Sequence, residues 1–132
     1  MNFLFKEEPS NYSFETFQKD KKTTWEGVRN PVAQKHLRSV KKGDRVFYYH
    51  TGNEKAVVGI AKATRNAYPN PQGDGYVVDI APVKPLKRPV TLAEIKKERR
   101  FAELPLVRVP RLSVMPIPDD IFDAIVKMSG TT

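Results

Sequence analysis

Hydrophobic positions along this chain switch several times between the two-residue alternation of strands and the 3.6-residue spacing of helices. Residues 2–6 (NFLFK) read as a short strand closed by the turn signal Glu8-Pro9. Ser13 stands where an N-cap would begin a short helix carrying Phe14 and Phe17, with Glu15 near its positive end. Asn30-Pro31 reads as an N-cap followed by proline at the first helical position, where a missing N–H loses no bond. Val32, Ala33, His36, Leu37 and Val40 then form one stripe, and Gln34, Lys35, Arg38 and Lys41 fall largely outside it. That spacing predicts an amphipathic helix with a basic outer face.

Residues 44–51 (DRVFYYHT) alternate Val46, Tyr48 and His50 against Phe47 and Tyr49, and Gly52-Asn53 supplies a turn before a second run at 56–63. A hairpin accounts for both. Residues 69–75 are a Pro/Gly/Asn/Asp loop, and 76–83 are a third strand-like run rich in Val and Ile. Thr91-Leu92-Ala93-Glu94 matches a capping box, which predicts a basic helix running to about Arg100. Residues 106–109 and 112–115 read as short extended pieces broken by Pro110. Pro118 opens a last helix with Ile121, Phe122, Ile125 and Val126 as its apolar positions, ending near Gly130. No internal repeat is visible. The sum is an α+β fold of five or six strands and three or four short helices. Strands and helices do not alternate regularly, so a curled or barrel-like sheet is expected rather than a doubly wound one.

Length agrees with one domain spanning 1–132. A 39% hydrophobic fraction is enough for a core, and a mean hydropathy of −0.52 fits a soluble surface. No apolar run approaches the ~20 residues of a membrane span, and the start lacks the features of a signal peptide. A mature, cytoplasmic chain without a membrane partner is expected. Zero cysteines exclude disulfides, thiol catalysis and cysteine-bound zinc, and two histidines leave little for a metal site. No cofactor is expected. The net charge of +8 is clustered: residues 19–45 and 84–111 each carry nine Lys/Arg against three acids. One such run is as easily a solvated face as a binding surface, but two at a pI of 9.8 point to an anionic partner such as nucleic acid.

Seven stretches then carry a resemblance: 3–9 (FLFKEEP), 25–30 (WEGVRN), 43–50 (GDRVFYYH), 58–61 (VGIA), 67–71 (AYPNP), 88–92 (RPVTL) and 111–116 (RLSVMP). In order and almost end to end, they resemble the successive motifs of the EVE domain family. That family belongs to the PUA-like superfamily of β pseudo-barrels flanked by helices and is similar to the YTH domains, which read methylated adenine in RNA. Some members are linked to recognition of modified cytosines in DNA. The resemblance implies a reader of DNA or RNA carrying a modified base, not a catalyst, and a monomer is expected.

A reader must take a base out of the stack and meet it with an aromatic wall and hydrogen bonds to its edge. Trp25 is the single tryptophan, and by likeness to the YTH cage it is the stacking wall; the alternative is a plug at the barrel end. Lys6, Glu7, Gly27, Val28, Tyr68 and Ser113 complete the candidate base pocket, with Arg29, Lys35, Arg38 and Arg111 on phosphates or backbone. Gly27 either permits close approach or serves a turn, and Tyr68 is either a second wall or an ordinary loop aromatic. Glu7 stands where family members more often have serine in Lys-Ser-Glu-Pro. A carboxylate there accepts from an exocyclic amine and repels a carbonyl edge. His50 reads as a hydrogen-bonded packing residue and Met115 as core. An enzyme acting on nucleic acid or a nucleotide, and a protein-interaction module, are the competing functions.

Overall fold

The computed structural model describes residues 1–131. Its strands are β1 (Asn2–Glu7), β2 (Thr23–Trp25), β3 (Arg45–His50), β4 (Ala56–Ala63), β5 (Tyr68–Pro69), β6 (Tyr76–Thr91) and β7 (Val114–Ile117). Its α-helices are α1 (Phe14–Asp20), α2 (Pro31–Arg38), α3 (Leu92–Lys96), α4 (Pro105–Arg108) and α5 (Asp119–Met128). The sheet order is β2-β6-β4-β3-β1-β7, with β5 paired to β6. β1 and β3 are parallel and the other pairs antiparallel. The register shifts between Tyr48 and Tyr49 in β3 and twice along β4, and such bulges sharpen the coiling of a sheet. The result is the expected α+β half-barrel, left open because β2 and β7 lie at opposite ends. Seven strands and five α-helices among the described residues exceed the expected numbers, because two- to four-residue elements such as β5, β2 and α4 are too short to leave a periodic signature.

Three stretches differ from their sequence reading. β6 does not end at Val83 but continues through Pro85 and Pro89 to Thr91. Beyond Ile80 only β4 flanks it, the edge position in which a residue without N–H is tolerated. The helix after the capping box stops at Lys96, and a 3₁₀ turn at Arg99–Phe101 follows, turning Phe101 into the core at 0% exposure. Residues 106–109 are mostly helical, not extended, since Pro105 opens α4 at its first turn.

The caps form as read. Ser13 Oγ accepts from Thr16 N at 3.1 Å, and Asn30 Oδ1 accepts from Val32 N at 2.9 Å and Ala33 N at 3.0 Å. On α2 the buried stripe is narrower than predicted: Ala33, Leu37 and Val40 are sealed, His36 is half-buried and Val32 is 52% exposed. Phe14, Phe17, Tyr48, Phe5 and Trp25 form an aromatic core inside the half-barrel. Phe47 stacks on Phe122 of α5, with centroids 3.7 Å apart. Gly59 lies at the β4 irregularity, where a Cβ would come within 2.4 Å of Phe14 Cζ, so the bare backbone seats that ring.

Candidate nucleic-acid interface

Trp25 ends the edge strand β2, whose pairing with Val78 of β6 turns its side chain into the half-barrel. The indole is 6% exposed. Phe5 lies 5.3 Å from it, and the Tyr48 ring meets it edge-on at 5.5 Å. It is therefore a packing residue, yet it adjoins a recess of about 210 Å3 lined also by Glu7, Asn11, Tyr12, Thr23, Thr24 and Glu26. The indole anchors the core, and Trp25 is also one of the residues that line the recess.

Glu7, the last residue of β1, is one of two acids that line this recess, the other being Glu26. Glu7 Oε1 accepts from Glu8 N at 2.9 Å and from Asn11 Nδ2 at 3.2 Å, and Oε2 has no donor among the described residues. The Tyr48 hydroxyl donates to Tyr12 O, tying the loop after β1 to the barrel. Burial first, and then the Glu7 charge, hold that phenol well above its ordinary pKa, so it stays a donor. His50 is 8% exposed and its Nε2 accepts from Phe14 N at 3.0 Å. The ring proton then sits on Nδ1, 2.8 Å from Glu54 Oε1. His50 is thus the hydrogen-bonded packing residue expected, and Met115 is core at 0% exposure.

The remaining candidates are spread over other surfaces. Lys6 leaves the opposite face of β1, where Nζ donates to Pro110 O at 2.8 Å. Gly27, Val28 and Arg29 line a larger cleft of about 530 Å3 between the loop after β2 and residues 70–77. Gly27 has φ +78° and open space where a Cβ would go, so the turn is what requires glycine. Gln34 of α2 holds this cleft together: its Nε2 donates to Val28 O at 2.7 Å and to Tyr76 O at 3.2 Å, and its Oε1 accepts from Tyr76 N at 2.9 Å. Tyr68 lies across β2 from the indole. Its hydroxyl and that of Thr24 both donate to Asp79 Oδ1, at 2.6 and 2.8 Å, and the Arg65 guanidinium stacks on its ring at 3.9 Å. The Asp79 bond is the main cause of a raised Tyr68 pKa. Ser113 offers its backbone carbonyl to Lys6 N at 2.9 Å. Lys35 and Arg38 are exposed on α2, Arg38 lying 5.6 Å from the Tyr76 ring centroid, and Arg111 borders an apolar recess with Val32 and His36.

Of the predicted pocket residues the structure therefore brings Trp25 and Glu7 together, and it places Lys6, Gly27, Val28, Tyr68 and Ser113 outside their recess. Asn11, Tyr12, Thr23, Thr24 and Glu26 line it and were not singled out in the sequence. The signal for the first two was their place between the Glu8-Pro9 turn and the Ser13 cap, on a loop obliged to cross the end of the sheet.

The EVE domain family matches residues 1–128. Thymocyte nuclear protein 1 of Gallus gallus is 31% identical over 137 residues, covering 84% of this chain but only 57% of that relative's length. A Rhodopseudomonas palustris protein solved by NMR superposes with a TM-score of 0.93 at 41% identity, covering 98% of this chain and 92% of that one. The human THYN1 protein, solved in complex with 5-methylcytosine-containing DNA, superposes with a TM-score of 0.89 at 26% identity, covering 99% of this chain and 98% of that one.

Proposed function

The chain belongs to the EVE domain family, and from that premise we propose that it is a DNA-binding reader that holds one flipped, modified cytosine in the recess beside Trp25 and does not turn it over. The observation that carries this reading is the Glu7 Oε2, which has no donor among the described residues, in a recess of about 210 Å3 that Trp25 also lines. Ligand sites for drug-sized molecules run to ~300 to 1,000 Å3, so this smaller space suits a single ring rather than a whole nucleotide. The indole offers part of a stacking surface, the carboxylate accepts from the exocyclic amine, and Thr23 presents a hydroxyl beside the unpaired edge of β2. In this reading Arg29, which lines the neighbouring cleft, and Arg38, beside Tyr76 of that cleft, meet the strand's phosphates. A human relative bound to 5-methylcytosine-containing DNA supports the substrate class.

The test is titration of Trp25 fluorescence with strands carrying cytosine, 5-methylcytosine or 5-hydroxymethylcytosine, in DNA and in RNA. The reading expects saturable quenching that favours a modified base. Equal response to all strands at every salt concentration sinks it. Trp25→Ala is a poor probe on its own, because deleting a buried tryptophan costs ~3 to 5 kcal/mol of stability. Trp25→Phe keeps most of the packing and, measured with a fluorophore on the strand in place of the lost tryptophan, is expected to weaken binding of the modified strand severalfold while the fold persists.

A further inference from the structure

Lys6 and Glu7 are consecutive on extended backbone, so their side chains leave β1 on opposite faces. Glu7 lines the Trp25 recess, and Lys6 lines a second recess of about 250 Å3 at the same end of the sheet, together with Tyr49, Thr51, Lys55, Lys96 and Pro110. The chemistry of this second recess is cationic. The Lys6 ammonium is half-buried and has as neighbours the Pro110 carbonyl oxygen at 2.8 Å and the Tyr49 ring, its centroid 5.5 Å away. No carboxylate pairs with it among the described residues, and burial lowers its pKa below the ordinary 10.5. Lys55 and Lys96 are exposed at the rim and likewise make no ion pair among the described residues. The Tyr49 side chain is nearly sealed, yet its hydroxyl donates to nothing among the described residues, and burial pushes its pKa up to about 12, so the proton stays available. Two acids stand at the border, outnumbered by three ammonium groups: Glu8 lies against Gly52, and Glu54, bonded to His50 Nδ1, lines an adjoining recess with Lys55 and Lys96.

A charged lysine held half out of water without a counter-ion, facing an unused phenol and two further cations, is an arrangement that an anion would stabilise. We propose that this recess binds a phosphate group, Lys6 and Tyr49 donating from its floor and Lys55 and Lys96 from its rim. The phosphate belongs either to the strand whose base occupies the Trp25 recess, in which case the inference rests on the reader function, or to a free nucleotide. In the first case the two faces of β1 divide the work: Glu7 reads the base and Lys6 holds the backbone.

The experiment uses the full chain, 15N-labelled, and the variant Lys55→Gln/Lys96→Gln. Inorganic phosphate is titrated first, then a single strand bearing one 5-methylcytosine over a series of salt concentrations. Saturable phosphate-induced shifts of the Thr51 and Lys55 amides in the wild type are expected, weakened severalfold in the variant. For the strand, the slope of log K against log salt should flatten by about 0.7 for each lost lysine contact, with the preference for 5-methylcytosine over cytosine unchanged. Phosphate shifts that survive without any preference for the methylated strand leave the anion site standing for a free nucleotide and refute the base reading alone. Identical phosphate shifts in variant and wild type, or no saturable shift together with an unchanged salt slope, overturn the proposal.

Discussion

Thymine and 5-methylcytosine share a ring methyl and differ at the edge, where one presents a carbonyl and the other an amine. In the proposed reading Glu7 tells them apart, because a carboxylate accepts from the amine and repels the carbonyl. Glu7→Gln, which can both donate and accept, is expected to shrink the preference for 5-methylcytosine over thymine by tenfold or more, since hydrogen bonds to charged groups are worth ~1.5 to 3 kcal/mol. Parallel fluorescence titrations with the two strands check it, and an unchanged ratio removes Glu7 from the recognition. At Gly59 the question is steric. A methyl group there would overlap the Phe14 ring, whose Cζ lies 2.4 Å from the Cβ position. Gly59→Ala is expected to lower stability by ~1 to 3 kcal/mol, the usual cost of overpacking, and Phe14→Leu in the same chain should return part of that loss. Urea midpoints of the single and double variants measure the coupling, and purely additive losses would show that the two residues do not compete for space.

Helix α3 shows how much a short element owes to its cap. Thr91 Oγ1 accepts from Glu94 N at 3.1 Å, and Glu94 Oε1 accepts from Thr91 N at 3.1 Å, while Arg88 Nη1 reaches both carboxylate oxygens at 2.9 Å. The Thr91 backbone N–H is the largest of several causes that hold the Glu94 carboxyl below its ordinary range. A carboxyl with a lower pKa in the folded than in the unfolded chain stabilises fully above the ordinary carboxylate pKa. That contribution is lost as pH falls through the lowered folded value. Glu94→Gln should therefore be less stable than wild type at neutral pH, and the gap should close on acidification. Urea unfolding at pH 7 and at successively lower pH tests the sign; a gap that is constant with pH would assign the effect to packing. The same capping box starts a helix of only five residues, because the chain must bend to bury Ile95 and then Phe101.

At the scale of the whole molecule the charge of +8 acts on binding rather than on the fold. Affinity for DNA is expected to fall linearly in log K against log salt, with a slope near −0.7 per phosphate contact on a single strand, measured by the same titrations between low and physiological salt. A salt-independent affinity would mean that the basic segments face water only. The caps and the central strand were legible in the chain because they follow from local facts: Asn30 before Pro31, Ser13 before Phe14, and alternation through residues 45–50 are decided within a few residues of themselves. β6 beyond Val83 was not legible, since what tolerates its prolines is an unpaired side, a property of neighbours distant in sequence. The site divides in the same way. Trp25 and Glu7 were identifiable by residue type, one indole and one acid out of its family's pattern. That they share a recess while Lys6, next to Glu7, opens onto another was settled by the pleat of β1 and by the sheet order that sets β2 at the edge and β1 beside β3. Sequence determines which groups are available and where short elements begin, because caps and periodicity act over one or two turns. Only the tertiary structure decides which of those groups meet, because proximity across 18 residues, from Glu7 to Trp25, is created by strand pairing and burial, not by spacing along the chain.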